Sequence, residues 1–255
     1  MGSDIGSLWD SPSTSLYRAS ARRVRRGGAR RWAMMLLVAL AAWVAGPAWA
    51  DGRTYPPLFG SSERMFPDSG IFPKWTDMLR RLVRNEAITV TPCRREQGLD
   101  ICEVEKWKAF IESQRGRPVA EVLDAVNRFM NAYPYVLDSV NYGVDDYWAT
   151  PQEHITNGGD CEDYAIAKYV TLRKLGFASA DMRVVILNDL DLKVQHAILV
   201  VYVDDRAYIL DNQTARVQPA DRIFHYQPIY SVTEGAWWMH MVTVTAQSQP
   251  QPARR

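Results

Sequence analysis

The sequence predicts an α+β fold in which helices from its first half pack on one face of an antiparallel sheet from its second half. Apolar residues recur at helical spacing as far as about residue 175, whereas from residue 182 onward they alternate or run continuously, as strands do. The pair Asp204-Asp205 between two apolar runs is typical of a two-residue hairpin turn, which joins antiparallel strands. Helices followed by such strands indicate an α+β domain.

Four helices are predicted from the spacing of apolar residues. They cover residues 74–84, 102–115 and 118–133, and a fourth begins at Cys161 and continues to about residue 175. The third helix ends before Pro134, because a proline disfavours helical geometry in the residue that precedes it. Residues 138–156 are interpreted as an aromatic loop.

Five strands are predicted, at residues 182–187, 196–203, 206–210, 229–232 and 237–244. The stretch at 51–73 is rich in proline, glycine and serine and is interpreted as an extended arm. The folded domain is therefore expected at 74–246, followed by a polar tail at 247–255.

Residues 1–50 are predicted to be a secretory signal peptide with a long, arginine-rich N-terminal region. The uncharged stretch at 32–46 is shorter than the roughly 20 residues that a membrane-spanning helix needs. Ala48-Trp49-Ala50 has the small-x-small form of a signal-peptidase site, so we expect cleavage after Ala50 and no membrane span in the mature protein. A retained N-terminal anchor is the alternative.

The mature part of the chain is predicted to be slightly acidic. The whole chain carries 30 basic and 29 acidic residues, and seven arginines but only two acids lie before residue 51. The remaining net charge is −4, and no dense cluster of lysine and arginine follows the leader. This distribution argues against a nucleic-acid-binding surface.

Three cysteines follow the leader. Export to an oxidising compartment favours a disulfide between Cys93 and Cys102, which leaves Cys161 as the unpaired thiol. Two unpaired thiols at 93 and 102 are the alternative.

The most informative segment is GGDCED at residues 158–163, a glycine turn followed by a helix that begins at Cys161. At a helix N-terminus the macrodipole and the free backbone N–H groups favour a thiolate. His196 and Asp211 follow in the chain, and we predict a nucleophile, its general base and acid, and the acid that orients the base. An inert thiol, a histidine that merely begins a strand and an aspartate that marks a turn are the alternatives.

The predicted hairpin gives this triad a geometric test. A two-residue turn at 204–205 pairs Val203 with Arg206, and continuing that register makes His196 and Asp211 diagonal neighbours on one face of the sheet. A three-residue loop would place Asp211 on the opposite face. The backbone N–H of Cys161 is a candidate oxyanion donor, with the indole N–H of Trp148 as a second donor or, alternatively, only a packing residue.

The acids beside Cys161 oppose its activation, because nearby carboxylates raise the pKa of a thiol. A bound Ca²⁺ held by Asp160 and Glu162 would neutralise them, since carboxylate oxygens are its preferred ligands. Helix capping by the same residues is the alternative, and both roles are compatible.

These motifs together resemble those of the bacterial transglutaminase-like cysteine proteinases. The resemblance covers about residues 70–245 and is carried by residues 146–153 (DYWATPQE), 159–163 (GDCED), 195–197 (QHA) and 210–212 (LDN). It implies a papain-like, transglutaminase-like core with Cys161, His196 and Asp211 as the triad. It also implies calcium dependence through Asp160 and Glu162, with Asp163 as a further ligand.

The resemblance further implies a place and a substrate. It leads us to expect a periplasmic endopeptidase that cleaves the N-terminal region of a large surface adhesin and so promotes biofilm dispersal. Control by an inner-membrane receptor that responds to cyclic-di-GMP and sequesters the protease is also expected. A transglutaminase-type acyl transferase and a non-catalytic binding module on the same fold are the alternatives.

Overall fold

The structure, a computed structural model, describes residues 55–88 and 92–242. The predicted leader at 1–50 and the predicted tail at 247–255 lie outside these residues. The described part of the chain forms six α-helices and nine strands, with a seven-stranded antiparallel sheet as its centre. The α+β class predicted from the sequence is confirmed.

The helices are α1 (Pro73–Glu86), α2 (Ile101–Gln114), α3 (Val119–Asn131), α4 (Asp138–Asn141), α5 (Pro151–Asn157) and α6 (Cys161–Lys174). The four predicted helices are present, with bounds that differ by only a few residues. The prediction of a loop at 138–156 was wrong in part, because α4 and most of α5 fall within it. A capping box between Thr150 and Glu153 starts α5, so this short helix had a recognisable sequence motif.

The strands are β1 (Ser61–Pro67), β2 (Arg95–Glu96), β3 (Leu99–Asp100), β4 (Met182–Asp189), β5 (Val194–Val203), β6 (Arg206–Leu210), β7 (Gln218–Pro219), β8 (Tyr226–Val232) and β9 (Ala236–Val242). The main sheet has the order β1-β9-β8-β4-β5-β6-β7, while β2 and β3 form a separate hairpin. All five predicted strands are present among these, although residues 243–244 of the last one lie outside the described residues.

β1 was not predicted, because it falls in the stretch interpreted as an extended arm. It pairs with β9 along its whole length and forms one edge of the sheet. A buried polar network holds it there: His240 of β9 contacts Ser61 Oγ at 3.1 Å and Ser231 Oγ at 3.0 Å, and Arg183 donates to Glu63 at 2.6 Å. These contacts join four strands and depend on side chains far apart in the sequence.

The larger core lies between the helices and one face of the sheet, where Trp75, Trp107 and Tyr169 are fully buried. A smaller apolar cluster covers the opposite face and includes Leu58, Ile198 and Val200. The helix α6 is central to the fold, since its residues from 162 to 172 are all buried. Among the described residues, no helix has the length and apolar character needed to cross a bilayer.

A disulfide between Cys93 and Cys102 joins the segment before β2 to the first turn of α2, with 5.0 Å between the Cα atoms. Cys161 is the free cysteine of the described chain. The division of the three cysteines into a pair and a single thiol is the one that export favours.

Candidate active site and calcium site

Cys161 is the first residue of α6, and its thiol donates a hydrogen bond to Glu162 Oε2 at 3.2 Å. The backbone N–H of Ala197, in β5, lies near the sulfur and favours its ionised form. The start of α6 therefore lies against β5, at the residue that directly follows His196. Two of the predicted catalytic residues are thus brought to the same end of the sheet.

The pKa of the Cys161 thiol is raised well above its ordinary value, first by burial and then by the negative charges of Glu162 and Asp160. The Ala197 N–H acts in the opposite direction, because it stabilises the thiolate. The net result is a thiol whose ionisation is opposed by its acidic neighbours, as the sequence predicted. Activation requires that this negative charge be compensated.

His196 Nε2 lies 3.0 Å from Asp211 Oδ1, and both side chains are almost completely buried. The predicted hairpin register is confirmed, since Val203 pairs with Arg206 and the pairing continues to Leu199 and Leu210. The two turn residues at 204 and 205 both have positive φ, 47° and 60°, as the tight hairpin turn requires. The contact between histidine and acid therefore follows from turn length and strand alternation.

Several hydrogen bonds hold Asp211 in place. Tyr226 donates its hydroxyl to Oδ2 at 2.6 Å, the backbone N–H of Gln213 donates to Oδ1 at 2.9 Å, and Asn131 donates to the backbone carbonyl at 2.9 Å. Burial alone would raise the pKa of Asp211, but the bonds from His196, Tyr226 and Gln213 outweigh it and the pKa is lowered. An ionised Asp211 accepts a hydrogen bond from Nε2–H, so Nδ1 is the ring nitrogen left to act as a base.

Trp148 is buried in the helical core, with its ring edge-to-face on Trp75 at a centroid distance of 6.3 Å. Its backbone carbonyl accepts a hydrogen bond from Arg81 Nη2 at 2.5 Å. The residue that follows, Ala149, donates its N–H to Asp163 Oδ1 at 2.6 Å. These bonds fix the backbone around Trp148, and its role as an oxyanion donor stays a prediction.

Five acids lie close to the start of α6 and form two overlapping groups. Asp138, Asp160 and Asp163 each offer a carboxylate oxygen within 4.8 Å of the others, and so do Asp138, Asp146 and Glu162. Asp138 belongs to both groups, so all three predicted ligands (Asp160, Glu162 and Asp163) share it as a neighbour. The sequence analysis did not predict Asp138 or Asp146 as ligands. Asp138 begins α4, where no motif indicated it, and Asp146 begins the DYWATPQE segment, which was not interpreted as a source of ligands.

The first of these groups has the properties of a cation site. Asp138 Oδ1, Asp160 Oδ1 and Asp163 Oδ2 are all buried and have no hydrogen-bond partner among the described residues. Burial raises the pKa of Asp138 to about 6 and that of Asp163 well above its ordinary value, and the remaining acids add repulsion. Burial and the charge of Asp160 likewise raise the pKa of Glu162 to about 8. Unpartnered carboxylate oxygens that crowd one another fit Ca²⁺, which prefers such ligands.

The sequence profile of the bacterial transglutaminase-like cysteine proteinases (BTLCP) matches residues 90–245. The chain belongs to this family. The match includes Cys161, His196, Asp211 and all the acids of the candidate cation site. Membership supports cysteine protease activity and the transglutaminase-like fold expected from the motifs.

Solved structures of family members are similar to this chain. Legionella pneumophila LapG is 33% identical, with a TM-score of 0.50, over 54% of this chain and 78% of its own. Legionella pneumophila LapG in its calcium-bound form is 35% identical, with a TM-score of 0.50, over 56% of this chain and 81% of its own. No curated protein sequence matches the chain.

The buried amine of Lys168 lies close enough to Asp211 to feel the attraction of its charge. No sequence pattern indicated this amine. Lys168 of α6 is fully buried, its Nζ has no hydrogen-bond partner among the described residues, and it lies 5.7 Å from the ring centroid of Tyr164. Burial lowers the pKa of Lys168 to about 7, against the attraction of Asp211. Burial, with repulsion from Lys168, also lowers the pKa of His154 to about 3. His154 is therefore a neutral core residue and takes no part in acid–base chemistry near pH 7.

Proposed function

We propose that this chain is a calcium-dependent cysteine endopeptidase with Cys161 as nucleophile, His196 as general base and acid, and Asp211 as the residue that orients His196. The observation that carries the proposal is the hydrogen bond between His196 and Asp211. His196 lies on β5, and the next residue of that strand, Ala197, lies near the sulfur of Cys161. A histidine held by an ionised carboxylate beside a helix-terminal cysteine has the chemistry of an activated thiol.

The reaction follows from these positions. His196 takes the thiol proton at Nδ1, and the sulfur attacks the carbonyl carbon of the scissile peptide bond. The oxyanion that forms is stabilised by the backbone N–H of Cys161, with the Trp148 indole N–H as the second donor. His196 then returns its proton to the departing amine, which leaves a thioester on Cys161. Water, deprotonated by His196, attacks the thioester carbon and releases the new carboxylate and the free thiol.

The cation site supports this reaction through charge. Asp138, Asp160 and Asp163 would hold Ca²⁺, with Asp146 and Glu162 beside them. The ion would supply positive charge that offsets the carboxylates opposing thiolate formation. The calcium-bound form of Legionella pneumophila LapG supports this assignment by similarity.

We further propose that the protease acts in the periplasm on the N-terminal region of a large surface adhesin and is sequestered by an inner-membrane receptor that responds to cyclic-di-GMP. The leader predicted at 1–50 supports export, and the similarity to Legionella pneumophila LapG supports this substrate class. Cleavage would release the adhesin and promote biofilm dispersal.

The decisive experiment incubates residues 51–255 with N-terminal fragments of candidate adhesins, in Ca²⁺ or in EGTA, and identifies the products by mass spectrometry. We expect two peptides from one scission in Ca²⁺, and no cleavage by Cys161→Ala. Cys161→Ala should unfold at the same urea concentration as the wild type. An isopeptide product without backbone scission would instead indicate acyl transfer, and cleavage by Cys161→Ala would refute the nucleophile.

A further inference from the structure

Just before the catalytic helix, a short extended segment runs beside Gly159. Tyr135 and Gly159 form a parallel bridge, in which Val136 N–H donates to the Gly159 carbonyl at 2.9 Å and Gly159 N–H donates to the Pro134 carbonyl at 3.2 Å. In a parallel bridge of this kind the central residue directs its own N–H and C=O to the opposite side. Within the described residues, these two groups of Tyr135 have no hydrogen-bond partner.

Two glycines hold this segment in a fixed position. Gly158 has φ 79°, and a Cβ there would lie 2.5 Å from the Pro134 carbonyl oxygen. A Cβ on Gly159 would lie 2.2 Å from Asp163 Oδ2. The absence of a Cβ at Gly158 therefore allows the close approach to Pro134, and its absence at Gly159 leaves room for the Asp163 carboxylate. The free edge of Tyr135 is consequently fixed relative to Cys161, which follows Gly159 by two residues.

The residue that carries the free edge is exposed and lies beside the start of α6. Tyr135 is 55% exposed, and its ring stacks on Tyr164, which follows in the first turn of α6, at a centroid distance of 6.3 Å. Burial, followed by the negative charge of a Cys161 thiolate, raises the pKa of Tyr135 to about 12. Leu137 and Val140, further along the same stretch, are 53% and 74% exposed. A backbone donor and acceptor thus lie next to the thiol, followed by exposed apolar side chains.

We propose that the N–H and C=O of Tyr135 bind one residue of an extended polypeptide substrate, which adds as a strand beside residues 134–136 and passes over Cys161. This inference rests on the proposed protease function and adds to it the mode of substrate binding. A peptide backbone offers an acceptor and a donor on the same residue, which matches the pair that Tyr135 presents. The substrate class is therefore an extended, locally unfolded segment, held by its backbone.

The test uses covalent probes that need no knowledge of the natural substrate. The parent probe is acetyl-Ala-Ala-Ala vinyl sulfone, whose alanines leave the backbone as the main source of binding. The Cys161 thiolate adds to the vinyl carbon attached to the last alanine, β to the sulfone, and a proton adds to the carbon beside the sulfone, so nothing is released. Three analogues each carry one N-methyl group on a different amide, which removes one donor and blocks strand pairing at that residue.

Mass spectrometry of the Cys161 adduct gives the second-order rate constant for each probe. In the wild type we expect N-methylation at one position to lower this constant at least about tenfold, the loss expected for a broken pair of backbone hydrogen bonds. Methylation at the positions whose N–H faces solvent should have little effect. If all three analogues react within twofold of the parent, the proposal is overturned.

A matched pair of variants assigns the effect to Tyr135. Tyr135→Pro removes the outward N–H, which would donate to a probe carbonyl, but keeps the C=O that accepts the sensitive probe N–H, so the parent probe should react more slowly while the N-methyl dependence remains. Tyr135→Ala keeps both backbone groups and should retain both the parent-probe rate and the N-methyl dependence. A Tyr135→Pro variant that reacts with the parent probe as fast as Tyr135→Ala would place the docking edge elsewhere.

Iodoacetamide separates this proposal from the one on which it rests. It needs no backbone docking, so it should alkylate Cys161 equally fast in the wild type and both variants if they are folded. Lack of reaction at Cys161 with iodoacetamide and the parent probe alike would contradict the nucleophile itself. Should Tyr135→Pro fail to fold, the methylated series on the wild type still decides the question.

Discussion

Lys168→Met tests the electrostatics behind the predicted catalytic residues. Burial lowers the pKa of Lys168 from 10.5 to about 7, and its Nζ has no hydrogen-bond partner among the described residues. At about 1.4 kcal/mol for each pKa unit, the buried ammonium costs the fold as much as about 5 kcal/mol. Methionine keeps the length and apolar stem of lysine, so the substitution removes this cost and leaves only a small change in volume.

The gain in stability should depend on pH. Below pH 7 the amine is charged in both the folded and the unfolded state, and the full cost applies. Between pH 7 and 10.5 only the unfolded chain binds the proton, so the wild-type free energy of unfolding rises by about 1.4 kcal/mol per pH unit. We therefore expect Lys168→Met to be more stable by up to about 5 kcal/mol at pH 6 and by about 2 kcal/mol at pH 9.

The assay is urea denaturation followed by tryptophan fluorescence at pH 6, 7.5 and 9, at one fixed Ca²⁺ concentration. Comparing variant with wild type at each pH cancels the titration of the other groups. Lys108→Met is the control, because the Lys108 side chain is 36% exposed and forms an ordinary surface ion pair with Glu105. Equal stability of Lys168→Met and wild type at pH 6, or a gain that does not shrink by pH 9, would refute the reasoning.

Tyr226→Phe removes the 2.6 Å hydrogen bond to Asp211 Oδ2, so we expect kcat to fall by roughly 10-fold and the acid limb of the pH profile to move upward, because this bond lowers the pKa of Asp211. An unchanged pH profile would contradict that role. Chelation by EGTA should slow alkylation of Cys161 by iodoacetamide, since the uncompensated acids raise the pKa of the thiol. Asp138→Asn should weaken Ca²⁺ binding in calorimetry, whereas Asp221→Asn, an exposed acid away from the site, should not. Cys93→Ser opens a disulfide between residues nine apart in sequence, and should cost roughly 2–3 kcal/mol in urea denaturation without changing the alkylation rate.

The parts of the fold that depend on local pattern could be predicted from the sequence. Helical spacing located α1, α2, α3 and α6, and the turn at 204–205 fixed the register that joins His196 to Asp211. In each case the information lies within a few residues of chain. Turn length and strand alternation are enough to place two side chains on one face, so this contact needed no knowledge of the rest of the molecule.

The parts that depend on contacts between distant segments could not be predicted. β1 lies in a stretch rich in turn-forming residues, and it is a strand because it pairs with β9. Tyr226 reaches Asp211 although β8 and β6 are not neighbours in the sheet. Asp138 joins the acids of the candidate cation site because the bridge between Tyr135 and Gly159 brings its part of the chain beside α6. None of these pairings leaves a periodic pattern in the sequence.

Two groups of acids with opposite electrostatic environments lie on either side of the site. One is Asp211 beside His196, and the other is the group of acids beside Cys161. Asp211 is surrounded by donors that lower its pKa and so stabilise charge on His196, whereas the acids beside Cys161 are crowded, buried and partly without partners. A cysteine between these environments is a poor thiolate until the second group is compensated. A cation bound by these acids would therefore favour nucleophile activation through its charge. Such a linkage would explain why acids that oppose a thiolate can be tolerated next to it.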